Sequence, residues 1–158
     1  MAWSASKIFA VTVMHALDRT STLDFDGDTF KVALYDNDIT PDNSVAAAAA
    51  AYNTGQWTAS GNEVSDGTEW DAAGEPLTGN DVTQSTTTVK FDGTDTPSGG
   101  SSATLANVYG CLVYDDTITT PTADIGACYN YFGGTNSVTD GTFTVVWSAS
   151  GIFTISVA

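Results

Sequence analysis

The segment 29–38, TFKVALYDND, constrains the fold of this chain more than any other part of the sequence. Phe30, Val32 and Leu34 would point to one side of an extended chain, while Lys31, Ala33 and Tyr35 would point to the other. The run then ends in a polar turn at positions 36–38. This pattern predicts the first core strand of a β-domain.

Composition points to the same fold class. The chain has 158 residues, the length of one ordinary domain, and we expect a single domain over 1–158. Only 15% of its residues are charged, so Thr, Ser, Asn and Gly must supply much of the polar surface, as in β-proteins. We therefore expect a mainly β fold, an antiparallel β-sandwich or jelly-roll-like barrel with one N-terminal α-helix.

The charge balance restricts the partners of the chain. Four basic residues accompany nineteen acidic ones, which gives a formal net charge of -15. Nucleic acid and anionic membranes are therefore not expected as partners, because both are bound through clustered Lys and Arg side chains. The charge is compatible with simple solubility and with attraction to a basic protein surface.

The N-terminal segment 3–20, WSASKIFAVTVMHALDRT, carries the clearest helical pattern. Ser4 or Ser6 can act as N-cap, and apolar residues follow at helical spacing. We interpret residues 1–20 as a docking helix, too short in apolar length to span a membrane. Its apolar stripe consists of Phe9, Val13, Ala16 and Leu17.

The segment 39–79 lacks clear periodicity and is rich in Gly and other turn formers. We predict a long Gly-rich loop segment, which is either an extended functional loop or a connector ordered by packing. Consecutive alanines within 45–52 favour a short helix. Trp57 and Trp70 are expected to anchor the segment to the core or to a partner.

The second half of the chain predicts a series of antiparallel strands. Segments 103–114 and 127–132 are expected to form a long hairpin, and 141–147 and 151–157 a terminal hairpin. Segment 82–92 is predicted as one further strand, and 93–102, GTDTPSGGSS, as a mobile loop tip.

Metal and catalytic signatures are weak. Asp24, Asp26 and Asp28 resemble the start of a calcium loop, but Gly27 precedes the third acid and Tyr35 occupies the twelfth position. His15 is the only histidine, and no G-x-S-x-G motif accompanies it. We therefore expect no enzymatic activity, no cofactor and no metal site.

Two further residue groups leave alternatives open. Cys111 and Cys128 are predicted to be buried thiols, with a cross-strand disulfide as the alternative. Several aromatic residues of the predicted strands can serve core and interface packing or a sugar-stacking platform. These aromatic residues are Tyr109, Tyr114, Tyr129, Tyr131 and Phe132.

The order of these segments, with the runs VALYDNDITPD, GNEVSDGTEW, GCLVYDDT, YNYFGG and DGTFTVVW, resembles small virion structural proteins of tailed bacteriophages. It is most similar to the capsid decoration type, which includes head-fibre and cement proteins. The resemblance implies assembly in place of catalysis, on a capsid or tail lattice and commonly as oligomers. It carries over no catalytic residue.

The resemblance leads to specific expectations about function. We expect a protein made in the bacterial host cytoplasm that lies on the outer capsid surface and stabilises capsomer contacts. Its partners would be the major capsid protein and further copies of itself, with a trimer as one option. A tail or fibre component and a carbohydrate-binding module for host surfaces are the alternatives. The predicted partner-binding residues are Trp3, Phe9, Val13 and Leu17 in the helix and Trp57 and Trp70 in the loop segment.

Overall fold

A computed structural model describes residues 3–19 and 21–157. Residues 1, 2 and 20 of the predicted docking segment, and residue 158, lie outside the described part. The described chain is mainly β, with antiparallel sheets in a sandwich-like arrangement, as predicted. Its strands are β1 (Lys7–Ile8), β2 (Phe30–Tyr35), β3 (Glu63–Val64), β4 (Glu75–Leu77), β5 (Asp81–Ser85), β6 (Thr88–Asp92), β7 (Thr96–Pro97), β8 (Ala103–Asp115), β9 (Gly126–Gly141), β10 (Thr144–Val145) and β11 (Phe153–Ser156).

The predicted core strand is confirmed as β2, which lies inside the largest sheet. The order of that sheet is β1-β9-β8-β2-β3, and β4 also pairs with β2. Phe30, Val32 and Leu34 pack into one apolar cluster, and Ala33 and Tyr35 into a second on the opposite face. Both faces of β2 are therefore covered.

A three-stranded sheet of order β11-β6-β5 forms the second layer. It meets the large sheet through the ring of Phe91, whose centroid lies 5.2 Å from that of Phe30 and 4.9 Å from that of Phe25 in the turn before β2. Phe153 lies 5.2 Å from Phe91 on the same side of the small sheet. These contacts join the layers by aromatic packing at typical ring separations.

The pairing of the later strands differs in part from the prediction. The hairpin of β8 and β9 is confirmed, but segment 82–92 forms two strands, β5 and β6, around a turn in which Thr86 has φ 53°. The two terminal segments do not pair with each other, because β10 pairs with β7 and β11 with β6. The predicted loop tip contains β7, and Thr96 within it is 2% exposed.

The first helix, α1 (Ala10–Asp18), is shorter than predicted. Lys7 and Ile8 pair with β9, and Phe9 takes the N-cap position without a side-chain cap, so neither Ser4 nor Ser6 caps the helix. A strand can form at this point because the alternating Ser and apolar residues before position 10 also suit an extended strand at the edge of a sheet. None of the helices in the described residues has the length and hydropathy needed to cross a membrane.

The segment 39–79 is ordered by secondary structure and packing. It contains the predicted alanine helix as α2 (Ala47–Ala50), an irregular turn α3 (Ala59–Asn62), and the unpredicted strands β3 and β4. The Asp66 carboxylate accepts N–H bonds from Glu69 and Trp70 at 2.8 and 2.9 Å and from Thr104 at 2.9 Å. Burial opposes its ionisation, but these donors outweigh burial and lower the pKa of Asp66.

Candidate functional site

Four of the six predicted partner-binding residues lie inside the domain. Trp3 is 3% exposed, and Phe9, Trp57 and Trp70 are fully buried. Their rings contact other core aromatics: Trp57 lies 5.9 Å from Trp3 and 6.0 Å from Phe9, and Trp70 lies 5.8 Å from Phe143. These four side chains were predicted to contact a partner, and this prediction is corrected: they pack in the core of the domain. Burying a large aromatic ring stabilises the folded chain.

Val13 and Leu17 have a different environment. Leu17 is 80% exposed and Val13 is half-buried, and both line a groove between α1 and the three-stranded sheet. We call this the α1 groove, a cavity of about 170 Å³. It is lined by Ile8, Thr12, Val13, Ala16, Leu17, Phe25, Val82, Val89, Phe91, Phe153 and Ile155.

Strand register explains the sheet wall of the α1 groove. Val82, Phe91 and Phe153 are direct cross-strand partners, and Val89 pairs with Ile155 two residues further along. Side chains two residues apart share a face of a sheet, so all five point to the same side. The helix wall faces them, and the apolar surface between them remains open.

Large exposed apolar side chains lie in the walls of this groove and close to them in the sequence. Leu17 and Ile155, which is 39% exposed, are in its walls. Met14, 50% exposed, is three residues before Leu17 on α1, and Val157, 67% exposed, follows β11. A clustered apolar surface of this kind is typical of a protein contact site. Single exposed apolar side chains scattered over the surface would not indicate a contact site.

The edge of the α1 groove carries acidic residues. Asp26 accepts a hydrogen bond from the Val82 amide at 2.6 Å, which places its carboxyl group beside the groove wall. Asp24 and Asp26 flank Phe25, which lines the groove. The groove is therefore apolar inside and acidic at this edge.

The acidic residues that resembled a calcium loop cap a turn. Asp24 Oδ1 accepts N–H bonds from Asp26 at 3.2 Å and from Gly27 at 3.1 Å, and Asp28 Oδ2 accepts from the Asp24 amide at 2.7 Å. Within residues 3–19 and 21–157, no three His, Cys, Asp or Glu side chains are grouped to hold a metal ion. His15 is buried in α1, and its Nδ1 has no hydrogen-bond partner in that part of the chain.

Asp115 is a buried carboxyl group that sequence reasoning did not single out. Its Oδ1 accepts the amides of Thr117 at 2.8 Å and Ile118 at 3.1 Å, whereas Oδ2 is buried without a donor among the described residues. Burial raises the pKa of Asp115 to about 7, and the nearby Asp28 carboxyl group adds to the increase. Two ionised carboxylates cannot bond to each other, but a proton on one would supply the missing hydrogen bond.

The two cysteines are free and buried, as predicted, and the cross-strand disulfide is not formed. Burial raises the pKa of Cys128 to about 12 and that of Cys111 well above its ordinary value. A buried thiol with a raised pKa has little thiolate and is a poor nucleophile. Both thiols act as small apolar groups of the core.

The aromatic residues for which core packing and a sugar-stacking platform were the alternatives are divided between core and surface. Tyr114 and Tyr129 are 1% and 3% exposed, so core packing is confirmed for these two residues. Tyr109, Tyr131 and Phe132 are half-buried. Tyr131 stacks on Trp3 at 6.3 Å, and Tyr129 makes an edge contact with Trp3 at 6.0 Å.

Sequence reasoning missed the sheet wall of the α1 groove. The alternation of Phe153, Ile155 and Val157 was a usable signal, because an apolar face without a covering segment in sequence is a surface candidate. Val82 and Val89 gave no such signal, since they lie on two strands of a hairpin that the Thr-rich sequence presents as one strand.

Comparisons with protein-family models, curated protein sequences and solved structures found no match to this chain.

Proposed function

We propose that this chain is a non-enzymatic structural protein of a tailed-phage virion, which decorates the outer capsid surface and stabilises capsomer contacts. The observation that carries the proposal is the α1 groove with its cluster of exposed apolar side chains, led by Leu17. The resemblance of the sequence to decoration proteins supports the virion context.

The chemistry of the groove defines the surface that would fill it. Leu17, Val13 and Ile155 require apolar side chains from the partner, because burying their exposed surface stabilises a complex. Asp26 and the net charge of -15 favour Lys or Arg around those apolar groups. The proposed partner surface, on the major capsid protein, is therefore an apolar segment flanked by basic residues. Association of this chain with itself, as a trimer or otherwise, stays a prediction.

The N-terminal segment attaches through the exposed face of α1 and also belongs to the core. Trp3 and Phe9 are buried, and Lys7 and Ile8 pair with β9. Deleting residues 1–20 would therefore unfold the domain, and loss of attachment after that deletion would carry no information. Point changes at exposed groove residues are the suitable tool.

Quantitative mass spectrometry of purified particles tests the virion role. A decorating protein is expected at a copy number comparable with that of the major capsid protein, because it follows the symmetry of the lattice. A few copies per particle would instead favour a tail or fibre component. Absence of the chain from purified particles would contradict any structural role in the virion.

A further inference from the structure

A cleft along β9 is separate from the α1 groove and differs from it in chemistry. It consists of two adjoining cavities of about 410 and 310 Å³, which share Ser6, Asn130 and Ile152 in their walls. Both volumes fall in the usual range of small-molecule sites. Cys128, Asn130 and Phe132 alternate along β9, so they present one face of the strand to this β9 cleft.

The far wall of the β9 cleft is held in place by the backbone. The Trp147 amide donates to Asp95 Oδ1 at 3.0 Å, and the Ile152 amide donates to the Phe91 carbonyl at 2.9 Å. Between them, Gly151 has φ 97°, and a Cβ there would lie 2.8 Å from the Phe91 carbonyl oxygen. The wall is therefore fixed at both ends, which favours a site that is formed before a ligand arrives.

The polar side chains that face the β9 cleft are neutral and oriented. Lys7 also borders the larger cavity, but it pairs with Tyr129, so strand alternation turns its side chain to the face opposite Ser6 and Ile8. Ser6 Oγ accepts the Tyr131 amide at 3.0 Å, which leaves its hydroxyl proton to be donated. The Asn43 amide group donates to the Ile8 carbonyl at 3.2 Å, and that of Asn130 to Cys128 Sγ at 3.5 Å. The carbonyl oxygens of both asparagines remain as acceptors for a ligand.

The charge and the aromatic content of the cleft narrow the ligand class. Although nineteen acidic residues occur in the chain, neither cavity is lined by Asp or Glu among the residues described. Trp147 and Phe132, both half-buried, form part of the wall. Neutral donors and acceptors beside aromatic rings suit a ligand that carries both hydroxyl groups and apolar C–H faces, which is the chemistry of a pyranose.

We propose that the β9 cleft binds a neutral oligosaccharide. The hydroxyl of Ser6 and the amide oxygens of Asn43 and Asn130 contact sugar hydroxyl groups, and Trp147 and Phe132 contact the apolar side of a ring. This binding is independent of the α1 groove, because the two sites have different walls except for Ile8 and Phe153.

Saturation-transfer NMR with maltotriose, cellotriose, mannotriose and triacetylchitotriose tests the proposal on the full chain. At least one is expected to bind at about millimolar affinity or better. In isotopically labelled protein, the chemical-shift changes that this saccharide causes should centre on the Ser6 amide, the Asn130 side chain and the Trp147 indole. The proposal would be overturned if none of the four saccharides binds, or if the chemical-shift changes lie away from the cleft. Both outcomes are measured on the wild-type protein and need no folded variant.

Two variants and a matched control sharpen the test. Asn130→Ala and Trp147→Ala are each expected to weaken binding at least about tenfold. Leu17→Asp, in the α1 groove, should leave saccharide affinity within about twofold. Circular dichroism verifies the fold of each protein, and unchanged affinity in a folded Asn130→Ala or Trp147→Ala variant would rule out the assigned contacts.

Discussion

The hydroxyl of Tyr35 donates a 2.7 Å hydrogen bond to the backbone carbonyl of Trp57, and the two rings meet edge to face at 5.1 Å. This contact joins the central strand β2 to the segment 39–79 inside the core. Both residues are fully buried. The contact explains why a Gly-rich segment without strand periodicity is nevertheless ordered.

Tyr35→Phe is expected to lower the free energy of unfolding by about 0.5–1.5 kcal/mol, because it removes one of the two donors to the buried Trp57 carbonyl and leaves only the Asn53 amide at 3.0 Å. Urea unfolding followed by tryptophan fluorescence measures the change. Tyr109→Phe serves as the control, since no hydrogen bond of its hydroxyl group is found in the described residues, and it should change stability by less than about 0.5 kcal/mol. Equal effects of the two substitutions would contradict the role assigned to this contact.

Gly74 ends the 71–74 turn and lies directly against the backbone of β2. It has φ 85°, and a Cβ at this position would overlap the carbonyl group of Val32. Gly74→Ala is expected to lower the free energy of unfolding by at least about 3 kcal/mol, because it combines backbone strain with a steric clash. Gly67 has φ 73° but open space around it, so a substitution there causes the backbone strain without the steric clash. Gly67→Ala should cost only about 1–2 kcal/mol, and thermal unfolding of both variants measures the two changes.

Asp115 predicts a pH dependence of stability. Its folded-state pKa of about 7 lies above the ordinary value of 3.8, so its stabilising contribution is complete below about pH 3.8 and is lost as the pH rises through about 7. Asp115→Asn keeps the acceptor for Thr117 and Ile118 and cannot ionise. The variant should therefore gain stability relative to the wild type between pH 4 and pH 8, by about 1–3 kcal/mol at the upper end.

Urea unfolding at several pH values tests the Asp115 prediction. Asp81→Asn, at an exposed position on β5, provides the control for loss of one negative charge. A stability difference between Asp115→Asn and wild type that stays constant with pH would refute the shifted ionisation.

The thiols give a simple test of the core. Cys111 and Cys128 are buried and free, so neither should react with a water-soluble disulfide reagent in the native protein. Both should react once the chain is unfolded in guanidinium chloride, and reductant should not change the thermal midpoint. Fewer than two reactive thiols after unfolding would indicate a disulfide and contradict this structure.

Sequence patterns were informative where one segment determined its own environment. The alternation of 29–38 predicted β2, and the runs 103–114 and 127–132 predicted the β8–β9 hairpin. The patterns failed where a distant partner decided the outcome. β11 pairs with β6, about sixty residues earlier, and β10 with β7, and local alternation contains no information on such partners.

The predicted contact residues show the same limit. A large aromatic such as Trp57 is equally suited to a core and to an interface, and its burial depends on β2 and the N-terminal segment together. Leu17 was predicted from helical spacing, which does not reveal that the facing sheet leaves its apolar side uncovered.

The α1 groove as the attachment surface is tested most directly by adding purified protein to phage particles that lack it and counting the bound copies by quantitative mass spectrometry. Thr83→Asp is the matched control, because Thr83 is exposed and lies one residue from Val82 on the opposite face of β5. We expect Leu17→Asp to reduce binding at least about tenfold and Thr83→Asp to change it by less than about twofold. A folded Leu17→Asp protein that binds particles as well as the wild type would contradict the account.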